Sequence, residues 1–148
     1  MKNQKGFTLI ELLLVLAIIG IISAIAIPAL LGQRERAKAK AVQANVNNIA
    51  GECARVNDTA KEAGSVLTAT TIVTSVLTLP NYSLPNAKNP YQGSLAAYAS
   101  SGTVTGTVVA SGGAVTDVTG NSYSAVTITG YYLLGGVATS LQKVVALD

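Results

Sequence analysis

Apolar and polar positions divide the chain into stretches of different periodicity. From Leu12 to Gln33 no residue is charged. About 22 residues at a rise of about 1.5 Å each give about 33 Å of helix, enough to cross a hydrocarbon core of about 30 Å. The run predicts a transmembrane helix. Beyond it Val42, Val46, Ile49, Cys53, Val56 and Ala60 recur at alternating steps of four and three, which is one apolar stripe of a helix. Arg34, Lys38, Asn45, Asn48, Glu52 and Arg55 fall on the other faces and suit water. Gly64 followed by Ser65 is a C-cap signal. The pattern therefore predicts one helix from Phe7 to Ala63, about 57 residues and roughly 85 Å long. Its first half needs a membrane or neighbouring helices, and its second half needs a packed domain.

Past Gly64 the character changes. Val66 to Leu79 is rich in Thr, Val and Leu, and its periodicity fits a short helix or a strand. Pro80, Pro85 and Pro90, with Asn81, Asn86 and Asn89, mark an irregular connection. From Ser94 onward β-branched runs alternate with turn signals. Thr103 to Ala110 precedes Ser111-Gly112-Gly113, and Tyr123 to Thr129 follows Gly120-Asn121. Short strands at this spacing predict an antiparallel meander. Laid on the stripe from Val42 to Ala60, it gives an α+β molecule, a long N-terminal helix packed on a small antiparallel sheet head. No repeat is evident. The expected segments are 1–6, a polar leader; 7–33, the apolar half of the helix; 34–64, its amphipathic half; 65–93, a connection; and 94–148, the sheet.

Composition sharpens this division. Of 148 residues 49% are hydrophobic and 11% charged, against roughly 25% charged in an ordinary soluble protein. There is no histidine and one cysteine, which excludes Ser-His-Asp and Cys-His catalysis, imidazole metal sites and an internal disulfide. Nothing calls for a cofactor or a metal, and an enzyme is not expected. A net charge of +3 is too small to argue for a specific nucleic-acid partner. Much of it lies in Lys2 with Lys5 and in a collar from Arg34 to Lys40, the latter read as a solvated surface facing lipid headgroups. Cys53, on the apolar stripe, reads as an inert packing thiol.

The candidate chemistry sits in the first twenty-eight residues. Glu11 interrupts the start of the apolar run, where a carboxylate in hydrocarbon costs about 3 kcal/mol on insertion scales. Either it stays wet near the interface or it awaits a positive partner. Gly20 weakens the helix by about 1 kcal/mol relative to alanine. Pro28 removes a hydrogen bond and clashes with the carbonyl four residues back. Both are also simply tolerated in spanning helices.

Lys5-Gly6-Phe7-Thr8-Leu9-Ile10-Glu11-Leu12, continued through Gly20 and Pro28, resembles the leader and first helical turns of type IV pilins and of the pseudopilins of type II secretion. The head past Gly64 has no comparable match beyond its layout. The resemblance implies cleavage between Gly6 and Phe7 by a prepilin peptidase, which also methylates the freed amine of Phe7. It implies that Glu11 and the Phe7 amine of neighbouring subunits meet during assembly, and that the helix between Gly20 and Pro28 unwinds in the filament. The implied life history is a precursor in the bacterial inner membrane, held in its lipid with the leader in the cytoplasm. It then passes through the pilus assembly machinery into an extracellular helical homo-oligomer. The excess of cations past the span would by itself favour the opposite orientation.

Most like a major type IV pilin, the chain has as its alternative a pseudopilin or minor pilin of a type II secretion or competence system. Major pseudopilins build a calcium site from acidic loop residues. Beyond Glu62 this chain has only Asp117 and Asp148, too few for a hard-cation site. Asn89-Pro90-Tyr91 resembles a motif of both groups. A third reading, an ordinary secretory signal cut after Ala24-Ile25-Ala26, is opposed by Glu11.

Overall fold

The computed structural model describes residues 6–78 and 87–147. Lys2, Lys5, Pro80, Asn81, Tyr82, Pro85, Asn86 and Asp148 lie outside the described residues. The chain divides into two compact units between Arg34 and Glu35, and helix α1, Leu9–Glu62, belongs to both.

In the first unit every large aliphatic side chain of α1 from Leu9 to Leu31 is exposed. The helix begins two residues later than Phe7, because Thr8 takes the N-cap position and turns its side chain back onto the first turn. Gly20 and Pro28 both lie within the helix. In this single chain the segment between them is helical throughout.

In the second unit α1 buries Val42, Val46, Ile49, Cys53 and Val56, with Ala39 and Ala50 beside them. The expected stripe is the core stripe, and Ala60 at its end is half-buried. Gly64, at φ +71°, closes the helix. Ser65 N–H donates to the Ala60 carbonyl at 2.8 Å and Gly64 N–H to Lys61 at 2.9 Å, the paired bonds of a Schellman cap.

The Thr-rich stretch that follows is a helix, α2, Ala69–Thr78. Ala69, Ile72, Val73 and Val76 are buried, an i, i+3, i+4, i+7 face. Thr68 caps it by accepting from Thr71 N–H at 3.3 Å. Thr74 and Thr78 donate their hydroxyls to carbonyls four residues back, at 3.0 and 2.6 Å. Those bonds satisfy β-branched residues in a helix that their propensity alone would not choose.

Four strands complete the head: β1, Tyr98–Ala99; β2, Val108–Thr116; β3, Ser122–Leu134; and β4, Val137–Ala146, side by side in that order. β2, β3 and β4 are antiparallel as expected, but β1 runs parallel to β2, pairing Tyr98 with Val108. The sheet is therefore mixed, which corrects the wholly antiparallel expectation. The cause is a return loop over 100–107, bent at Gly102 and Gly106, both at positive φ. The Asn89 side chain donates to the Thr105 carbonyl and the Thr107 hydroxyl at 3.0 and 3.2 Å, so the chain comes back beside β1 in the same direction. Thr103 to Thr107 is consumed by that loop, and β2 starts only at Val108.

Ser111-Gly112-Gly113 is a second correction. It is not a turn but the middle of β2, whose register with β3 is unbroken from Val108↔Gly130 to Thr116↔Ser122. A Cβ on Gly112 would overlap the backbone of Ala69 and Thr70. The glycine lets α2 approach the sheet. Gly130 does the same for α1, where a Cβ would lie 2.6 Å from Val46 Cγ2 and 2.9 Å from Val42 Cγ1. Val108, Ala110, Val126 and Ile128 complete one core with the stripe of α1 and the apolar face of α2.

Candidate assembly site at the helix N-terminus

Phe7, Thr8 and Glu11 make the candidate site, and the helix geometry brings Thr8 and Glu11 together. The Thr8 hydroxyl accepts from Glu11 N–H at 3.3 Å, Thr8 N–H donates to Glu11 Oε2 at 2.9 Å, and the Thr8 hydroxyl donates to the same oxygen at 2.8 Å. This is a capping box, in which Ncap and N3 satisfy each other's orphan groups. It also sets an anion at the positive end of the helix dipole. The Thr-x-x-Glu spacing ahead of an apolar run is the sequence signal for Thr8. Phe7 stands just outside the box, 92% exposed, with Gly6 exposed before it. Glu11 is the only charge between Phe7 and Gln33. One carboxylate is thus held in a fixed place on a helix whose large aliphatic side chains are all exposed from Leu9 to Leu31. Gly20 and Pro28 lie farther along α1, away from this cluster in sequence.

Among the described residues the head carries no second site of comparable chemistry. Asn89 is 2% exposed, and its Oδ1 accepts from Tyr91 N–H at 2.8 Å and Gln92 N–H at 3.0 Å. With the two bonds of its Nδ2, the amide of the Asn-Pro-Tyr motif is fully used in holding the loop. Tyr91 in turn exchanges hydrogen bonds with the backbone of Leu133 at 3.2 Å, and the Lys38 ammonium lies 5.1 Å from the centre of its ring. Glu35 accepts from Gly136 N–H at 3.0 Å. The collar is therefore not wholly a solvated surface, because Glu35 and Lys38 are spent on the head.

Cys53 is buried without a disulfide, and burial pushes its thiol up to about 11, with a smaller push from Glu52. It is a packing group. Asp117 Oδ1 accepts from Thr119 N–H, the Thr119 hydroxyl and Asn121 N–H at 2.8, 2.6 and 3.0 Å. Those bonds, that of the Thr119 side chain foremost, hold the carboxyl below its usual range and occupy it in its own turn. Among the described residues no group of acidic or sulfur ligands could hold a metal.

Comparison with known proteins agrees with this geometry. Residues 1–27 match the prokaryotic N-terminal methylation motif. The chain is 56% identical over 48 residues to the type IV wide pilus major component PilA4 of Thermus thermophilus, covering 32% of this chain and 37% of that protein. It is 79% identical over 28 residues to a fimbrial protein of Pseudomonas aeruginosa, 19% of this chain and 18% of the relative. With the type II secretion system core protein G of Klebsiella pneumoniae the identity is 33% over 51 residues, 34% of this chain and 36% of that one. The chain thus spans little more than a third of these relatives at most, always a minority of their length. No solved structure matches. The methylation motif and the matched N-terminal helix make this chain similar to type IV pilins and pseudopilins over that stretch, and its α+β head is compatible with the likeness. That family is structural, not catalytic.

Proposed function

We propose that this chain is the structural subunit of a type IV pilus. The observation that carries the reading is the first unit. It is a capped helix on which every large aliphatic side chain is exposed, with one carboxylate in its first turn. Such a surface is stable in lipid or against copies of itself, and not in water. The similarity to pilus and fimbrial subunits over this same stretch supports the second environment as the final one.

In this reading the precursor sits in the inner membrane and a prepilin peptidase cuts between Gly6 and Phe7. The new amine of Phe7, then methylated, is a cation beside the capping box. In a low dielectric the attraction between that amine and Glu11 of a neighbour is strong. Its value is chiefly in setting register, since desolvating two charges offsets much of the gain. The assembly machinery then moves the subunit from lipid into a helical homo-oligomer outside the cell, where the segment from Gly20 to Pro28 unwinds. The chain is not an enzyme and requires no cofactor.

Fibres sheared from cells and examined by N-terminal sequencing and intact mass test this directly. Mature chains should begin at Phe7 with one added methyl on the amine. A start near Ile27, after Ala24-Ile25-Ala26, would overturn the reading. The identity with core protein G is the one observation behind a second reading, a pseudopilin of type II secretion. It predicts that deletion of this chain blocks secretion of folded enzymes and leaves surface pili intact.

A further inference from the structure

In the second unit the outward face of α1 carries opposite charges at its two ends. Arg36 and Lys40 are exposed near its start, and Asp58 and Glu62 are exposed near its finish. Lys40 and Asp58 are about five helical turns apart and therefore on one face, with Arg36 and Glu62 offset by about 40° to either side. Glu35 and Lys38, between and beside the cations, are engaged by Gly136 and Tyr91. Glu52 and Arg55 pair with each other at 2.8 Å. Lys61 flanks the anions on one side. Between the charged ends the face is low. Ala44, Asn47 and Gly51 are exposed, Asn47 Oδ1 accepts from the Lys143 ammonium of β4 at 3.1 Å, and a Cβ on Gly51 would meet nothing within 4 Å.

The spacing makes this face complementary to itself. Both charge pairs repeat at four residues, so one displacement brings Arg36 opposite Asp58 and Lys40 opposite Glu62 together. That displacement is about 22 residues, or roughly 33 Å along the axis. We propose that the occupant of this face is a second copy of the chain, parallel to the first and shifted by that distance, with the cations of one copy on the anions of the other. The contact is heterologous, because each copy offers its cations to one neighbour and its anions to another. A heterologous contact that does not close generates a fibre. The inference rests on the polymer reading and adds to it an axial register set by water-exposed charges, separate from the apolar contact of the first unit.

Two experiments on full-length protein in cells test it. Lys40→Cys combined with Glu62→Cys puts two thiols too far apart to join within one chain, and the buried Cys53 stays out of reach. A short bis-maleimide applied to sheared fibres should give a ladder of dimers, trimers and longer species on a denaturing gel, which neither single variant gives. Arg36→Glu with Lys40→Glu should lower sheared-fibre yield about tenfold at an unchanged membrane pool. Adding Asp58→Lys with Glu62→Lys to that chain should restore the yield. Fibres of the double-cysteine chain without a ladder, and charge reversal without effect, would overturn the register and leave the polymer reading standing. Reversal that depletes the membrane pool and is not rescued would assign the cations to lipid headgroups and also overturn it. No fibres from the parent chain would sink the polymer reading itself.

Discussion

Two side chains in the head use the same local geometry under different burial, and their energetic weights should differ accordingly. Asn89 and Asp117 each accept hydrogen bonds from nearby backbone N–H groups. Asn89 does so at 2% exposure while donating to Thr105 and Thr107 across the loop. Asp117 lies on the surface, where water replaces any lost bond. Asn89→Ala leaves two part-buried backbone donors, the Thr105 carbonyl and the buried Thr107 hydroxyl without this partner, and should cost about 2–4 kcal/mol. Asp117→Ala should stay within about 1 kcal/mol. Denaturant midpoints of the mature protein in mild detergent would compare them. Equal shifts would show that burial is not what makes Asn89 matter. Repair is not available from the opposite side, because at Gly106, φ +88°, a Cβ would overlap the Asn89 side chain.

Elements differ in how far their own residues determine them. Gly112 and Gly113 are neighbours in β2 with the same intrinsic weakness as strand formers. A Cβ on Gly112 meets the α2 backbone, whereas one on Gly113 meets nothing within 4 Å. Gly112→Val should therefore destabilise the head by about 1–3 kcal/mol through overpacking, and Gly113→Val should be neutral or stabilise it by up to about 1 kcal/mol. Thermal melts of the two variants should move in different directions; a common shift would mean the α2–β2 approach is not the constraint. The same pair shows why part of the fold was unreadable. A glycine required by a helix lying on a strand looks identical in sequence to one required by a turn. The stripe from Val42 to Val56 was legible because a 3.6-residue period is local. β1's parallel pairing was not, because an amide at Asn89 sets it through residues 16 and 18 positions away. The periodicity of α2 fits helix and strand alike, and its cap and hydroxyl bonds favour the helix. At the candidate site Glu11 stood out by its charge in an apolar run and Gly6 and Phe7 by the resemblance alone, while the contacts of Glu35 with Gly136 and of Lys38 with Tyr91 join segments far apart in sequence.

In the proposed polymer Glu11 has two separable uses. In the single chain it completes a capping box with Thr8, a role that needs an acceptor and no charge. In the proposed filament it meets a neighbour's amine, a role that needs the charge. Glutamine separates the two, because it serves at N3 of a capping box nearly as well as glutamate and is neutral. Glu11→Gln should insert in the membrane as well as the parent or better, since a carboxylate there opposes insertion. Its helix start should be preserved, yet sheared-fibre yield should fall by about tenfold or more, close to that of Glu11→Ala. Thr8→Val supplies the reverse case, with the charge kept and the box lost, at a cost of about 1 kcal/mol at the helix start. The readout is the ratio of sheared fibre to membrane-held subunit for the three variants. If Glu11→Gln makes fibres at the parent level while Glu11→Ala does not, the carboxylate acts only on its own helix, and the amine of Phe7 must find its partner elsewhere.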